Sequence, residues 1–251
     1  MSTRQASMAR LETAQAVSTA LRNHLPLEDD VFDSLLPEPL GDRSSLYWTP
    51  LSVIEMASQW LIEAGARTVL DVGSGPGKFV VATALLTDLL VTGVEHRAAL
   101  HAAAQGLVEI LGVGDRVRLV HAPIDEVDMT QFDALYLFNP FGENLFAEEE
   151  QLDKTVALSE ARYHEDVARM ESTLERAPTG TLFLTYHGFG GRIPGSYFPM
   201  KSDFAGSDVL RLWRKSSDDA SADSWCEVEG RINLAQTGPR KRAPGVGRRK
   251  P

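Results

Sequence analysis

The stretch at residues 68–77, TVLDVGSGPG, decides the fold of this 251-residue chain. Its first half, Thr68–Val72, is a nearly continuous apolar run, which is typical of a buried strand. The glycine cluster at 73–77 separates that run from a helical pattern that begins at Lys78. In an open α/β sheet, ligands bind at the carboxyl ends of the strands. We therefore expect a ligand site at this turn.

Strand and helix patterns alternate along most of the remaining chain. Further strands are predicted at 91–94, 116–121, 134–138 and 181–186, with helices at 78–90, 96–111 and about 151–176. This alternation predicts a Rossmann-like, doubly wound α/β fold with helices on both faces of a mostly parallel sheet. The segments 209–213 and 225–232 are predicted to form an antiparallel C-terminal hairpin, which brings the sheet to seven strands.

The chain divides into three parts by composition. Residues 1–45 contain a helical pattern over 5–24, which ends before Pro26, and are predicted to form an N-terminal helical cap. Residues 46–236 hold the alternating strands and helices and are predicted to be the main domain. Residues 237–251 carry six basic residues and no acidic one, with several prolines and glycines, and this composition is typical of a disordered basic tail.

Composition and charge exclude several classes of protein. The chain has 25 basic and 35 acidic side chains, and without the tail its net charge is -16, which argues against duplex nucleic acid as a partner. The single cysteine, Cys226, cannot form an intrachain disulfide and has no metal-ligand spacing around it, so no metal site is predicted. No apolar run approaches the roughly 18 residues that span a bilayer. The predicted location is the cytoplasm, with no membrane partner.

The spacing of the glycines tests two further kinds of ligand loop. The nucleoside triphosphate pattern G-x-x-x-x-G-K-[ST] fails because Gly73 and Gly77 are four residues apart and Phe79 replaces the Ser or Thr. The dinucleotide pattern G-x-G-x-x-G fails less strongly, because Lys78 stands where a third glycine or alanine is needed. Nucleoside triphosphate hydrolysis is therefore not expected.

The pattern that does fit is D-x-G-x-G-x-G, formed by Asp71, Gly73, Gly75 and Gly77. It resembles the glycine motif of the class I S-adenosylmethionine-dependent methyltransferases, in which the acidic residue organises the methionine part of the cofactor. That family also places an acidic residue at the end of its second strand, where it accepts hydrogen bonds from both ribose hydroxyls, and Glu95 stands there. The resemblance implies S-adenosylmethionine as the cofactor and methyl transfer as the reaction.

The resemblance extends over about residues 46–232 and departs from the family after the third strand. Many relatives carry there an acidic residue that bonds the adenine amino group, whereas this chain has Pro123 at that position. Asp125 is the predicted substitute, with Ile124 packing on the adenine ring. The alternative for Asp125 is an ordinary loop carboxylate.

The methyl-transfer end of the site is predicted after the fourth strand. Residues 139–144, NPFGEN, resemble the [DN]-P-P-[YF] loop of methyltransferases that act on planar nitrogens, but the second proline is absent and the aromatic residue comes early. A nitrogen acceptor therefore does not follow. Asn139 is predicted to touch the cofactor or the acceptor, and the alternative for it is a plain turn-forming Asn-Pro. If the acceptor must lose a proton, the candidate bases are Tyr47, whose SLYWTP segment could lie over the cofactor, Tyr136, Glu143 and His187. His187, just after the fifth strand and beside glycines, is the best placed of the four. Small molecules, proteins and RNA all remain open as methyl acceptors.

Two other functions remain open from the sequence. A NAD-dependent oxidoreductase would use the same fold, and Glu95 would suit the ribose of NAD equally well, although Lys78 argues against it. A non-catalytic S-adenosylmethionine-binding module would retain the pocket and act through its N-terminal helix or its basic tail.

Overall fold

The computed structural model describes residues 3–217 apart from 148, 150 and 153, and it contains a sheet of seven strands. The strands are β1 Thr68–Val72, β2 Leu90–Glu95, β3 Val117–His121, β4 Ala134–Phe138, β5 Leu182–Tyr186, β6 Tyr197–Ala205 and β7 Asp208–Lys215. The helices are α1 Thr3–Arg22, α2 Asp29–Asp33, α3 Ser44–Tyr47, α4 Leu51–Glu63, α5 Lys78–Leu86, α6 Ala98–Leu111 and α7 Glu160–Arg176. The strand order is β3-β2-β1-β4-β5-β7-β6, and β7 alone among these strands runs against the others. The mostly parallel, seven-stranded α/β fold is confirmed.

Two apolar layers separate the sheet from its helices. On one face, α1, α4 and α5 bury Leu21, Ile54 and Val80 against the sheet. On the other face, α7 buries Met170 and Leu174. Helices therefore cover both faces, and the predicted N-terminal cap packs directly on the main core through α1. Between residues 3 and 217, the described helices include none that is both long and apolar enough to cross a membrane.

The C-terminal hairpin is formed by other residues than the sequence predicted. The predicted strand at 209–213 lies within β7, but its hairpin partner is β6, joined to it by a tight turn at Gly206 and Ser207. The sequence did not predict β6, because an exposed edge strand lacks the alternation of apolar and polar residues. This strand also contains Pro199 and a bulge. The predicted partner, 225–232, lies outside the described residues.

The last predicted helix is shorter than the pattern suggested. α7 begins at Glu160, whereas the sequence predicts a start near residue 151. Ser159 is its N-cap, because the Ser159 hydroxyl accepts a hydrogen bond from the Arg162 N–H at 3.2 Å. The described residues between β4 and α7 are irregular apart from a 3-10 turn at Gly142–Leu145, and this segment, called the wall below, borders the site.

Lys78 joins the N-terminal cap to the beginning of α5. Its side chain is only 2% exposed, and its Nζ lies 2.5 Å from Asp29 Oδ1 and 2.8 Å from Asp33 Oδ1. The same ammonium donates a hydrogen bond to the Ser44 hydroxyl at 3.1 Å. Asp29 also accepts a hydrogen bond from the Leu51 N–H at 3.0 Å, at the start of α4. One buried cation thus fixes the segments of the cap on both sides of residue 40.

Gly77 permits the close approach of α5 and α6, and its replacement by alanine tests this contact. Gly77 has a φ of +85°, and a Cβ at this position would lie 2.8 Å from the Ala104 Cβ. Gly65 is a matched control, because its φ is +84° and a Cβ there would meet nothing within 4 Å. We expect Gly65→Ala to cost about 1–2 kcal/mol from backbone strain and Gly77→Ala about 1–3 kcal/mol more from the clash.

Urea unfolding of both variants measures the difference. Adding Ala104→Gly to Gly77→Ala is expected to recover the extra loss, since it removes the opposing Cβ. Equal losses for Gly77→Ala and Gly65→Ala would mean that α6 moves away at no cost.

Candidate active site

The candidate site lies at the carboxyl edge of the sheet, where the glycine turn leaves β1. Gly73, Gly75 and Gly77 have φ values of +74°, +53° and +85°, which residues with a Cβ atom rarely adopt. The N–H groups of Gly73 and Ser74 donate hydrogen bonds to the Val94 carbonyl at 3.1 and 2.9 Å. The turn is therefore fixed against the end of β2.

Glu95, the last residue of β2, directs its carboxylate onto the glycine turn. Its Oε2 accepts a hydrogen bond from the Gly75 N–H at 3.0 Å, and its Oε1 accepts one from the Arg97 N–H at 2.8 Å. Burial raises the pKa of Glu95, while these amides and the Arg97 charge oppose that rise. Each carboxylate oxygen retains further capacity to accept a hydrogen bond, and Glu95 lines the cleft in front of it.

Asp71, near the end of β1, is a buried carboxylate that receives little compensation. It is 4% exposed, and burial, followed by repulsion from Glu95, raises its pKa well above the usual range. No hydrogen bond to its side chain is formed by the residues that the structure describes. A cationic group in the adjacent pocket would relieve both costs.

A groove runs along this edge of the sheet and has two neighbouring parts. The larger part encloses about 1010 Å³, the open space at its mouth included, and Glu95 and Ile124 line it. The smaller part is lined by Asp71. Both parts share Trp48 and Phe138, so they lie side by side.

The segment that directly follows the N-terminal cap, residues 46–48, supplies the cover of this groove. The Trp48 ring lies over the glycine turn, because a Cβ at Gly75 would be only 2.6 Å from it. The Trp48 Nε1–H donates a hydrogen bond to the Leu40 carbonyl at 3.2 Å, which holds the indole in place. The neighbouring Tyr47 ring lies 6.4 Å from the ring of Phe146. The sequence placed this segment near the cofactor only through Tyr47, because the position of the Trp48 ring depends on how the preceding residues fold back.

Asn139 lines the larger part of the groove, as its position after β4 predicts. Its φ is +38°, and its N–H donates a hydrogen bond to the Gly188 carbonyl at 3.1 Å. The side chain lies against Gly142, where a Cβ would be 2.3 Å from the Asn139 Nδ2. Its Oδ1 is buried and accepts no hydrogen bond from the described residues.

An ion pair joins the end of β2 to the wall that follows β4. Arg97 Nη1 donates a hydrogen bond to Glu143 Oε2 at 2.8 Å, and both side chains are mostly buried. Glu143 Oε1 accepts a hydrogen bond from the Leu152 N–H at 2.5 Å. The sequence did not indicate Arg97, because its partner is 46 residues away. Over the described part of the chain, no group of three or more His, Cys, Asp or Glu side chains is arranged to hold a metal ion.

His187 faces the β6–β7 turn. Its Nε2 lies 3.0 Å from the Ser207 hydroxyl, and its Nδ1 lies 2.9 Å from Asp208 Oδ2. Burial lowers the pKa of His187, and the Asp208 charge opposes that change. Both ring nitrogens thus have partners in the hairpin, and His187 is not among the residues that line the groove. Its catalytic role stays a prediction that no contact in the groove supports.

Asp125 also lies outside the lining of the groove. Its Oδ2 lies 3.9 Å from Arg169 Nη2, on α7, and both side chains are nearly half exposed. The preceding residue, Ile124, does line the larger part. The packing of Ile124 on an adenine ring and the adenine contact of Asp125 both stay predictions.

Comparisons with known proteins give relatives in structure only. No family model matches the chain, and no curated protein sequence matches it. Cofactor-bound Rv0187 from MTB is 14% identical, with a TM-score of 0.50 over 84% of this chain and 91% of that chain. An RNA methyltransferase from Salinibacter ruber, in complex with S-adenosyl-L-homocysteine, is 18% identical, with a TM-score of 0.49 over 70% of this chain and 99% of that chain.

An O-methyltransferase from Bacillus cereus, in complex with SAH, is 13% identical, with a TM-score of 0.47 over 82% of this chain and 91% of that chain. At such identities, the likeness to Rv0187 shows the fold. It agrees with the α/β architecture predicted from the sequence.

Proposed function

We propose that this chain, which has the α/β fold and the glycine motif of the class I S-adenosylmethionine-dependent methyltransferases, binds S-adenosylmethionine and transfers its methyl group to an acceptor. The observation that carries the proposal is that two carboxylates in different environments, Glu95 and Asp71, line neighbouring parts of one groove. Glu95 is held by the Gly75 amide, and Asp71 is buried without a hydrogen-bond donor. Glu95 is suited to accept hydrogen bonds from hydroxyl groups, and Asp71 is suited to pair with a cation.

The residues present fit the cofactor in chemical kind. The Glu95 carboxylate would accept hydrogen bonds from the two ribose hydroxyls, as the resemblance implies. Asp71 would pair with the ammonium of the methionine part, which would offset the burial that raises the pKa of this carboxyl. The glycine turn would leave room for the cofactor to pass along the end of β1.

When bound, S-adenosylmethionine supplies a methyl group that is already activated on a sulfonium. The protein therefore has to hold the acceptor in line and exclude water. Asn139, which lines the groove, would orient the acceptor. Tyr47 and Trp48 would exclude water by covering the groove. The small-molecule, protein and RNA classes of acceptor all remain open, and we propose the cytoplasm as the location.

A NAD-dependent oxidoreductase would also use Glu95 for a ribose, but the environment of Lys78 argues against this alternative. Lys78 occupies the position of the third glycine in the dinucleotide pattern, and its ammonium is held by Asp29, Asp33 and Ser44. A dinucleotide would thus meet a lysine with a buried, ion-paired side chain where its pattern has a glycine or alanine. The non-catalytic alternative predicts cofactor binding without turnover.

Calorimetric titration of the full chain with S-adenosylhomocysteine, with NADH as the control ligand, tests the cofactor. We expect micromolar binding of S-adenosylhomocysteine alone. Binding of NADH alone would contradict the proposal. Transfer of labelled methyl groups from S-adenosylmethionine to a cell extract then tests turnover, with and without residues 237–251. Cofactor binding with no transfer by either form would favour the non-catalytic module.

Asp71→Asn is expected to stabilise the protein and to weaken cofactor binding. The folded state raises the pKa of Asp71, so the folded wild type loses stability as pH rises from the ordinary aspartate pKa through the folded one. Asparagine removes this loss at neutral pH, and we expect a gain of about 1–3 kcal/mol. The thermal midpoint should rise by roughly 2–4 °C per kcal/mol.

Thermal unfolding at several pH values, together with S-adenosylhomocysteine titration, measures both effects. Near pH 3, the stability difference between Asp71→Asn and wild type should shrink, because the wild-type carboxyl is then protonated in both states. A variant that is less stable at neutral pH would contradict the assignment of Asp71 as an uncompensated carboxylate.

A further inference from the structure

The larger part of the groove contains a second carboxylate that the sequence did not indicate. Asp166, on α7, lines this part together with Ile124 and Glu95. Its side chain is 15% exposed, and its nearest charged partner is Arg162, whose Nε lies 3.6 Å from Asp166 Oδ2. That separation is too long for a hydrogen bond. No described residue donates a hydrogen bond to this carboxylate.

The fold brings Ile124 and Asp166 to the same end of the groove. Asp125 contacts Arg169 at 3.9 Å, and this contact joins the turn after β3 to α7. On α7, Asp166 lies three residues before Arg169, so the two side chains share one helix face. Since Ile124 directly precedes Asp125, the apolar side chain and the Asp166 carboxylate border one space.

Two carboxylates, Asp125 and Asp166, are therefore candidates for accepting a hydrogen bond from the adenine amino group in this space. Asp125, the sequence-predicted candidate, is nearly half exposed and does not line the groove. Asp166 is mostly buried, and burial raises its pKa even though Arg162 and Arg169 oppose the change; Asp125 and Glu165 add to the rise. A buried carboxylate with unfilled acceptor positions gains from a polar N–H donor.

We infer that Asp166 recognises the adenine amino group of the cofactor, with Ile124 packing on the ring, in place of the acidic residue whose position Pro123 occupies. The inference rests on the proposed function, because it assumes that an adenosine-containing cofactor binds with its ribose at Glu95. The inference places the residue that recognises the base on α7, which follows the wall after β4, instead of in the turn after β3.

The test compares two ligands that differ only in the base. S-adenosylhomocysteine carries the amino group, whereas S-inosylhomocysteine carries a carbonyl oxygen there, which would face the Asp166 carboxylate as a second acceptor. Calorimetric titration of the wild type should show a preference for S-adenosylhomocysteine of at least about tenfold. In Asp166→Asn the side-chain amide donates to the inosine oxygen, and the preference should fall to near unity or reverse.

Asp125→Asn is the matched control, since it makes the same chemical change on the other side of the Asp125–Arg169 contact. We expect it to retain the wild-type preference, and thermal unfolding of both variants verifies that they are folded. Loss of preference in Asp125→Asn together with an unchanged Asp166→Asn would overturn the inference. So would an unchanged preference in both variants. Failure of the wild type to bind S-adenosylhomocysteine at all would overturn the proposed function, and this inference with it.

Discussion

Lys78→Met is expected to lower the free energy of unfolding by about 3–5 kcal/mol, the usual cost of removing one partner from a buried ion pair. Methionine fills most of the space of the lysine side chain, so the loss comes from electrostatics rather than from a cavity. Asp33, whose side chain is 9% exposed, would be left as a buried carboxylate without its cation. Burial already raises the pKa of Asp33 with Lys78 present, and the variant should raise it further.

Lys201→Met is the matched control for this prediction. Lys201 pairs with Glu63, but both side chains are more than one third exposed, so we expect a loss of no more than about 1 kcal/mol. Adding Asp33→Asn to Lys78→Met should recover part of the loss, because the stranded charge is removed. Guanidinium unfolding of the four proteins measures these terms. If Lys78→Met and Lys201→Met lose the same free energy of unfolding, the buried ion pairs of Lys78 contribute no more to stability than an exposed pair does.

Glu95→Ala is expected to weaken the binding of S-adenosylhomocysteine by at least about tenfold. If Glu95 binds the ribose as proposed, the variant would remove two charge-assisted hydrogen bonds, each worth roughly 1.5–3 kcal/mol. It also removes the acceptor that holds the Gly75 N–H at 3.0 Å, so the glycine turn should be less well fixed. Calorimetric titration at constant ionic strength measures the affinity.

A ligand that lacks the ribose hydroxyls separates the two contributions. The dideoxy analogue of S-adenosylhomocysteine should bind the wild type more weakly than S-adenosylhomocysteine does, and the two ligands should bind Glu95→Ala equally. A folded Glu95→Ala with unchanged affinity would defeat the ribose assignment. A variant that still prefers the ribose form would mean that another group binds the hydroxyls.

The central part of the fold follows from the sequence because its signals are local. β1, the glycine turn and α5 are consecutive, and the change from an apolar run to a helical pattern at Lys78 is visible within ten residues. The ends of β1 and β2 meet at one edge in any parallel pair, so Asp71 and Glu95 could be assigned to one site. Asn139 was predicted at this edge for the same reason, since β4 lies beside β1.

The tertiary structure decided which side chains face the groove. Asp125 and His187 were placed at the correct edge by their positions after β3 and β5, but contacts with Arg169 and with the β6–β7 turn direct them elsewhere. Asp166 and Trp48 reach the groove from elements that carry no motif.

Strand and helix periodicity record burial over a few neighbouring residues, and the sequence therefore determined the sheet and its ligand edge. The direction of a side chain depends on partners that are tens of residues away, such as Asp29, which lies 49 positions before its partner Lys78. Such contacts form only when the cap, the sheet and α7 pack together, so only the folded chain decides them.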